Sequence, residues 1–135
     1  KHVTVVACMD ARIDPVRILG LAVGDAHVLR NAGGVITEDV IRSLTLSQRL
    51  QGTNEIILIH HTDCGMLKFH DDELKAQIEA ETGARPPFAL RAFPDLEGDV
   101  LESIARIKAS PFIPNTDEVR GFVYEVETGH LREVK

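Results

Sequence analysis

Short apolar runs rich in β-branched residues alternate with amphipathic segments along this chain of 135 residues. The runs occur at Val3–Ala7, Gly24–Leu29 and Glu55–His60, and the pairs Asp14-Pro15 and Thr37-Glu38 open helical patterns between them. This alternation is typical of parallel strands, because parallel neighbours need a long crossover connection that is usually a helix. The sequence therefore predicts an α/β fold with a mainly parallel central sheet flanked by helices.

The second half of the chain continues this pattern and ends in a hairpin. Helical patterns cover 71–82 and 100–108, whereas 84–98 contains three prolines and no clear periodicity. A strand is predicted at Val119–Val126, and the turn Glu127-Thr128-Gly129 leads into a short last strand at 130–134. We therefore expect about five strands with one antiparallel edge hairpin, in a single domain that covers 1–135.

Composition excludes several classes of protein. The net charge is −6, which argues against nucleic acid or an anionic membrane as the main partner. No apolar run in this sequence is long enough to span a bilayer, and none of it has the basic-then-apolar pattern expected of a signal segment. Two cysteines do not make a disulfide framework, so a reducing compartment, the cytoplasm, is expected. The first residue is Lys1 and not Met, and we expect that an upstream segment is missing.

Both cysteines of the chain follow a predicted strand. Cys8 comes directly after the first strand, and His61 and Cys64 come after the third. If these strands are neighbours in a parallel sheet, their carboxyl ends meet at one edge, where such sheets bind ligands. Two thiolates and one imidazole form a ligand set that zinc prefers, and three protein ligands leave a fourth position open for chemistry. The sequence therefore predicts one Zn²⁺ per chain.

Asp10 and Arg12 stand at alternate positions after Cys8, so their side chains tend to project to one side. A carboxylate beside the metal can accept the proton of a zinc-bound hydroxide and so aim a lone pair at an electrophile. The Arg12 guanidinium can hold that carboxylate in a forked pair, which keeps Asp10 from becoming a fourth zinc ligand. If Asp10 can bind either partner, the protein has two states that protons, anions or oxidation could bias.

These motifs resemble those of the β-class carbonic anhydrases, in particular the compact, prokaryotic-type branch. That family has Cys-x-Asp-x-Arg after its first strand and His-x-x-Cys after its third. The likeness extends to Asn31-Ala32-Gly33, to the run from His61 to Met66, and to the final hairpin at 123–129. It therefore covers nearly the whole chain.

The resemblance implies a function and a set of roles. The reaction would be the reversible hydration of CO2 to bicarbonate and a proton, in a homodimer or larger assembly with the pocket near a subunit interface. The implied zinc ligands are Cys8, His61 and Cys64. The implied catalytic dyad is Asp10 and Arg12. Three departures bear on rate and anion preference: the chain is only 4% aromatic, Ala11 stands where many members have serine, and the upstream segment that we expect to be missing would include the N-terminal arm of relatives.

Three further residues are candidates for substrate binding. Asn31 and Gly33 belong to a turn that can approach the site closely, and His27 lies on the strand that leads into it. His27 could line the pocket and relay protons, or it could be a surface histidine. Asp63 could cap the turn at Cys64, or accept a hydrogen bond from the ligand set.

Several other interpretations remain open. The same site could hydrolyse CS2 or COS, which are linear like CO2. The protein could instead be non-catalytic, with Asp10 as the permanent fourth ligand of a closed structural zinc. The Asp10–Arg12 pair could be an ordinary ion pair that closes a turn. A redox pair of Cys8 and Cys64 is disfavoured because the chain has no Cys-x-x-Cys motif.

Overall fold

Five strands form one mixed sheet in the computed structural model, which describes residues 2–135. The order across the sheet is β2-β1-β3-β4-β5, and every neighbouring pair is parallel except the antiparallel hairpin of β4 and β5. The strands are β1 (Val3–Cys8), β2 (Ala26–Asn31), β3 (Glu55–His61), β4 (Val119–Glu125) and β5 (His130–Val134). The predicted fold class is confirmed, and the first and third strands are neighbours.

Four helices connect the strands: α1 (Pro15–Ile18), α2 (Glu38–Gln51), α3 (Asp71–Thr82) and α4 (Leu96–Ala109). The Asp14 carboxylate caps α1 by accepting from the amides of Val16 and Arg17, and the Thr37 hydroxyl caps α2. Within residues 2–135, no helix has both the length and the apolar content needed to cross a bilayer.

Several predicted boundaries differ from the structure. α4 begins at Leu96 and not at Val100, because its first turn is polar and contains Gly98, which hides the helical pattern. β1, β2 and β3 each run one or two residues beyond the apolar runs that predicted them. The backbone hydrogen bonds between strands continue beyond these runs, because they do not depend on the polarity of the side chains. All three strands therefore end at residues outside the apolar runs.

The centre of the sheet is buried on both faces. All six residues of β1 are buried, and alternate side chains of this strand point to opposite faces. Val6 packs with Leu44 of α2 and Ile107 of α4 on one face. On the other face, Val5 packs with Phe93 among side chains from turns and loops, and both cysteines belong to this second cluster. The thiols therefore lie under loops, where local backbone geometry decides what can reach them.

Asp71 anchors the proline-containing segment before α4. Its carboxylate accepts hydrogen bonds of 2.8 to 3.0 Å from the amides of Leu90, Arg91 and Ala92. Burial opposes ionisation of this group, yet the three donors lower the pKa of Asp71 below its ordinary value of 3.8. Its stabilising effect is therefore fully present above pH 3.8 and is lost as the pH falls through the lowered pKa.

We expect Asp71→Ala to lower the free energy of unfolding by about 1 kcal/mol at neutral pH, because three amides lose their acceptor. Asp72→Ala is the matched control, since this neighbouring carboxylate in the same helix is 98% exposed. Urea denaturation of both variants measures the difference. Equal effects of the two substitutions would contradict the anchoring role of Asp71.

Candidate metal centre

Adjacent parallel strands bring the two cysteine motifs together. β1 and β3 pair in register from Val3 and Glu55 to Ala7 and Ile59, so Cys8 ends its strand beside the end of β3. The Sγ atoms of Cys8 and Cys64 and a ring nitrogen of His61 all lie within 4.8 Å of one another. All three side chains are buried. The structure therefore groups the three predicted ligands at the carboxyl edge of the sheet.

The imidazole of His61 is oriented to bind a cation. Its Nδ1 lies 2.7 Å from the carbonyl oxygen of Thr62, and a carbonyl can only accept, so Nδ1 carries the proton. Its Nε2 is buried and has no hydrogen-bond partner within the described part of the chain. An unpaired buried acceptor is costly, and a metal ion would satisfy it. The donor set and this free nitrogen both fit Zn²⁺.

The Cys8 and Cys64 thiols are expected to share one proton, because the ionisation of each opposes that of the other. The hydrogen bond from Cys64 lowers the pKa of Cys8 to about 4, although burial opposes this shift. The same contact raises the pKa of Cys64, because a second thiolate would face the first in a buried place. We therefore expect the pair to carry one negative charge at neutral pH, and a divalent cation would allow both sulfurs to become thiolates.

Zinc binding is therefore expected to release at least about one proton per ion at slightly alkaline pH, because the thiol of Cys64 loses its proton. Calorimetric zinc titrations in buffers of different ionisation enthalpy measure this number, with Ser103→Ala, which leaves both thiols in place, as the control that should release as many protons as the parent protein. Zinc binding at Cys8 and Cys64 without proton release would contradict the shared-proton arrangement.

Asp10 and Arg12 form the predicted forked pair. Arg12 donates from Nε to Oδ1 of Asp10 at 3.0 Å and from Nη2 to Oδ2 at 2.9 Å. Its backbone amide also donates to Oδ1 at 2.8 Å, so the pair closes a turn as well. The hydrogen bonds from Arg12 hold the pKa of Asp10 well below its ordinary value. Because Oδ2 lies 3.7 Å from Nε2 of His61, this ionised carboxylate adjoins the ligand atoms.

The turn after β2 approaches Cys8 closely, as predicted for Asn31 and Gly33. Asn31 is the register partner of Cys8, and a backbone hydrogen bond from Gly33 contributes to the low pKa of that thiol. Gly34 has a φ of +65°, and a Cβ there would lie 2.9 Å from the backbone nitrogen of Cys8. The side-chain amide of Asn31 donates to the carbonyl of Val35 at 2.9 Å. Substrate contact by Asn31 or Gly33 stays a prediction.

The structure does not bring His27 to this group. His27 is the second residue of β2 and pairs with Thr4, so it lies near the start of the parallel strands, whereas the cysteines lie at their ends. Its Nδ1 is 2.7 Å from the hydroxyl of Ser47. The prediction that His27 could line the pocket is therefore corrected. His27 and Asn31 both belong to β2, but they lie near opposite ends of this strand.

Sequence reasoning missed Arg30. Its guanidinium donates to the carbonyl oxygens of Cys8 at 3.0 Å, Asp10 at 2.8 Å and Ile13 at 3.1 Å. It therefore holds the loop that carries Cys8, Asp10 and Arg12. Because carbonyl groups are common to all residues, no side-chain motif could have signalled these contacts.

His60 is a packed and hydrogen-bonded residue and not part of the ligand group. Its ring stacks on Phe93 with centroids 5.3 Å apart, and its Nε2 lies 2.7 Å from the carboxylate of Asp99 on α4.

A mainly parallel α/β sheet with a buried Cys₂His group at its carboxyl edge defines a class of candidate zinc enzymes. The sequence profile of the family described as carbonic anhydrase matches residues 3–131. The chain therefore belongs to the carbonic anhydrase family, whose members are lyases.

Individual relatives agree with this assignment. The chain is 57% identical over 134 residues to beta-carbonic anhydrase 1 of Mycobacterium tuberculosis. This alignment covers 99% of the chain and 82% of the relative. It is 35% identical over 158 residues to the carbon disulfide hydrolase of Saccharolobus solfataricus, covering 98% of the chain and 77% of the relative. The crystal structure of a carbonic anhydrase from Streptococcus mutans superimposes with a TM-score of 0.94 at 45% identity, covering 99% of this chain and 81% of that one.

Proposed function

We propose that this chain catalyses the reversible hydration of CO2 to bicarbonate and a proton. The observation that carries the proposal is the group of three buried ligand atoms within 4.8 Å of one another, beside a carboxylate that Arg12 fixes in place. Family membership and the high identity to a named beta-carbonic anhydrase support the same reaction.

Cys8, His61 and Cys64 would hold the zinc ion. When bound, zinc supplies a Lewis acid that acidifies water, and two thiolates offset its charge and so weaken this effect. Help from the protein is therefore needed to orient the nucleophile. Asp10 is ionised and can only accept, so it takes a hydrogen bond from the attacking oxygen and leaves a lone pair directed at the carbon of CO2.

Arg12 keeps that carboxylate in position. Both oxygens of Asp10 accept from Arg12, which opposes rotation of Asp10 onto the metal. This pairing supports an open coordination position and disfavours the closed structural site, in which Asp10 would be a permanent ligand.

Hydrolysis of CS2 or COS is the second candidate. The 35% identity to a carbon disulfide hydrolase supports this second reaction. Linear substrates with a similar electrophilic carbon could react at the same site. The higher identity to a carbonic anhydrase ranks CO2 first.

Stopped-flow hydration of CO2 by the zinc-loaded protein tests the proposal, with parallel assays on CS2 and COS. We expect hydration of CO2 at alkaline pH and a much lower rate with the sulfur compounds. Turnover of CS2 or COS without turnover of CO2 would replace the first candidate by the second, and turnover of none would support a closed zinc site.

We also propose a homodimer or larger assembly in the cytoplasm. Three large apolar side chains, Leu46 and Leu50 of α2 and the nearby Phe112, are exposed, and α2 with Phe112 borders a shallow apolar groove. A reducing compartment would keep both thiols available to zinc. Light scattering coupled to gel filtration measures the assembly, and a monomer at micromolar concentration would contradict it.

A further inference from the structure

We propose that Asp63 is a positioning residue: it fixes the Arg12 guanidinium and thereby keeps Asp10 away from the metal position. This role rests on the proposed function, because it assigns a purpose to the same dyad. Asp63 itself is neither a ligand nor a partner of Asp10, and it acts only through Arg12.

Arg12 lies between two acidic residues. One side of its guanidinium contacts Asp10, and Nη1 donates to Oδ2 of Asp63 at 2.9 Å. Nη2, which already contacts Asp10, also donates to the backbone carbonyl of Asp63 at 3.0 Å. The planar guanidinium is therefore held along two edges, by Asp10 on one and by Asp63 on the other. These contacts restrict rotation of the Arg12 side chain.

The backbone and a lysine hold Asp63 in turn. Asp63 stands between the ligands His61 and Cys64 in the left-handed region, with a φ of 55°, which Asp tolerates better than most residues. Nζ of Lys68 lies 2.7 Å from its Oδ1. The turn that positions His61 and Cys64 therefore also positions the two groups of Asp63 that accept hydrogen bonds from Arg12, its carboxylate and its backbone carbonyl.

Small movements matter at this site because Oδ2 of Asp10 is only 3.7 Å from Nε2 of His61. If Arg12 loses Asp63, the forked pair becomes less constrained and Asp10 is free more often to turn towards a bound cation. The side chain of Asp63 is 47% exposed, so the effect is expected to be moderate. It is a shift of population between two positions of Asp10.

Asp63→Gly is the most informative variant. Glycine adopts a positive φ without strain, so the turn and the backbone carbonyl are kept while the carboxylate is removed. Asp63→Asn is the conservative variant, because Asn also tolerates this backbone region and keeps an acceptor oxygen without the charge. Asp39→Asn, which removes a charge from an exposed pair on α2, is the control for net charge.

The readout is azide binding to the cobalt-substituted protein, followed by visible absorption. Asp10 on the metal and azide compete for one position, so we expect azide to bind about three- to fivefold more weakly to Asp63→Gly and by a smaller factor to Asp63→Asn. Simple electrostatics predicts the opposite sign, because removing a negative charge should favour an anion. Removing the competitor in Asp10→Ala/Asp63→Gly should restore the affinity of Asp10→Ala alone.

Unchanged or tighter azide binding in Asp63→Gly and Asp63→Asn would overturn the proposal. So would weaker binding that persists in the double variant, because the loss would then not pass through Asp10. These results are separable from the proposed function: the predicted azide pattern without CO2 hydration by the parent protein would leave the role of Asp63 standing and remove the function. Failure of the parent protein to bind cobalt would remove both.

Discussion

Cys64→Ala is expected to lower zinc affinity by at least about a hundredfold and to remove CO2 hydration with it. Cys64 is almost fully buried, and its sulfur lies within reach of the other two ligand atoms. The substitution leaves one thiolate and one imidazole, which is too few donors to hold zinc tightly at neutral pH. Metal analysis after dialysis against a weak chelator, together with stopped-flow hydration, measures both losses.

The control for this variant is Ser103→Ala, which also deletes one buried heavy atom but lies on α4, outside the cysteine cluster. It should keep zinc and activity. A Cys64→Ala protein that retains tightly bound zinc and full activity would show that the cysteine is no more than a buried apolar residue.

Asp10→Ala has the second largest expected effect, a loss of about a hundred- to a thousandfold in kcat/KM with zinc retained. In the proposed mechanism the carboxylate is the acceptor that orients the nucleophile, and among residues 2–135 no other carboxylate is held by Arg12 this close to the ring of His61. Because the pKa of Asp10 is far below its ordinary value, this group stays ionised throughout the working range. Any loss of rate at mildly acidic pH must then come from another group.

Asp39→Ala removes an exposed carboxylate paired with Arg42 and serves as the matched control, which should behave as the parent protein does. Activity of Asp10→Ala equal to that of the parent would refute the role assigned to Asp10. Loss of zinc together with activity would instead make Asp10 a ligand, as in the closed structural site.

The sequence predicted the sheet and the ligand group because both depend on local patterns. β-branched runs mark the buried strands, and the carboxyl ends of adjacent parallel strands must share one edge. If the first and third strands are neighbours, the sequence therefore places Cys8 and His61 together. The forked pair of Asp10 and Arg12 was predictable for the same reason, since two residues at alternate positions share a side.

Contacts that depend on tertiary geometry were not predictable. His27 belongs to the same strand as Asn31, and only the pairing register shows that it lies at the other end of the sheet. Arg30 binds carbonyl groups, which have no sequence signature. The sequence indicates that Asp63 could cap a turn or accept a hydrogen bond from the ligand set. Its contact with Arg12 could not be predicted, because it joins positions 51 residues apart.

Activity measured while zinc is returned to the metal-stripped full chain tests the central claim most directly. If Cys8, His61 and Cys64 hold one catalytic ion, CO2 hydration should rise in proportion to added zinc and level off at about one ion per chain. Full activity in the stripped protein, or activity that does not follow zinc content, would contradict it.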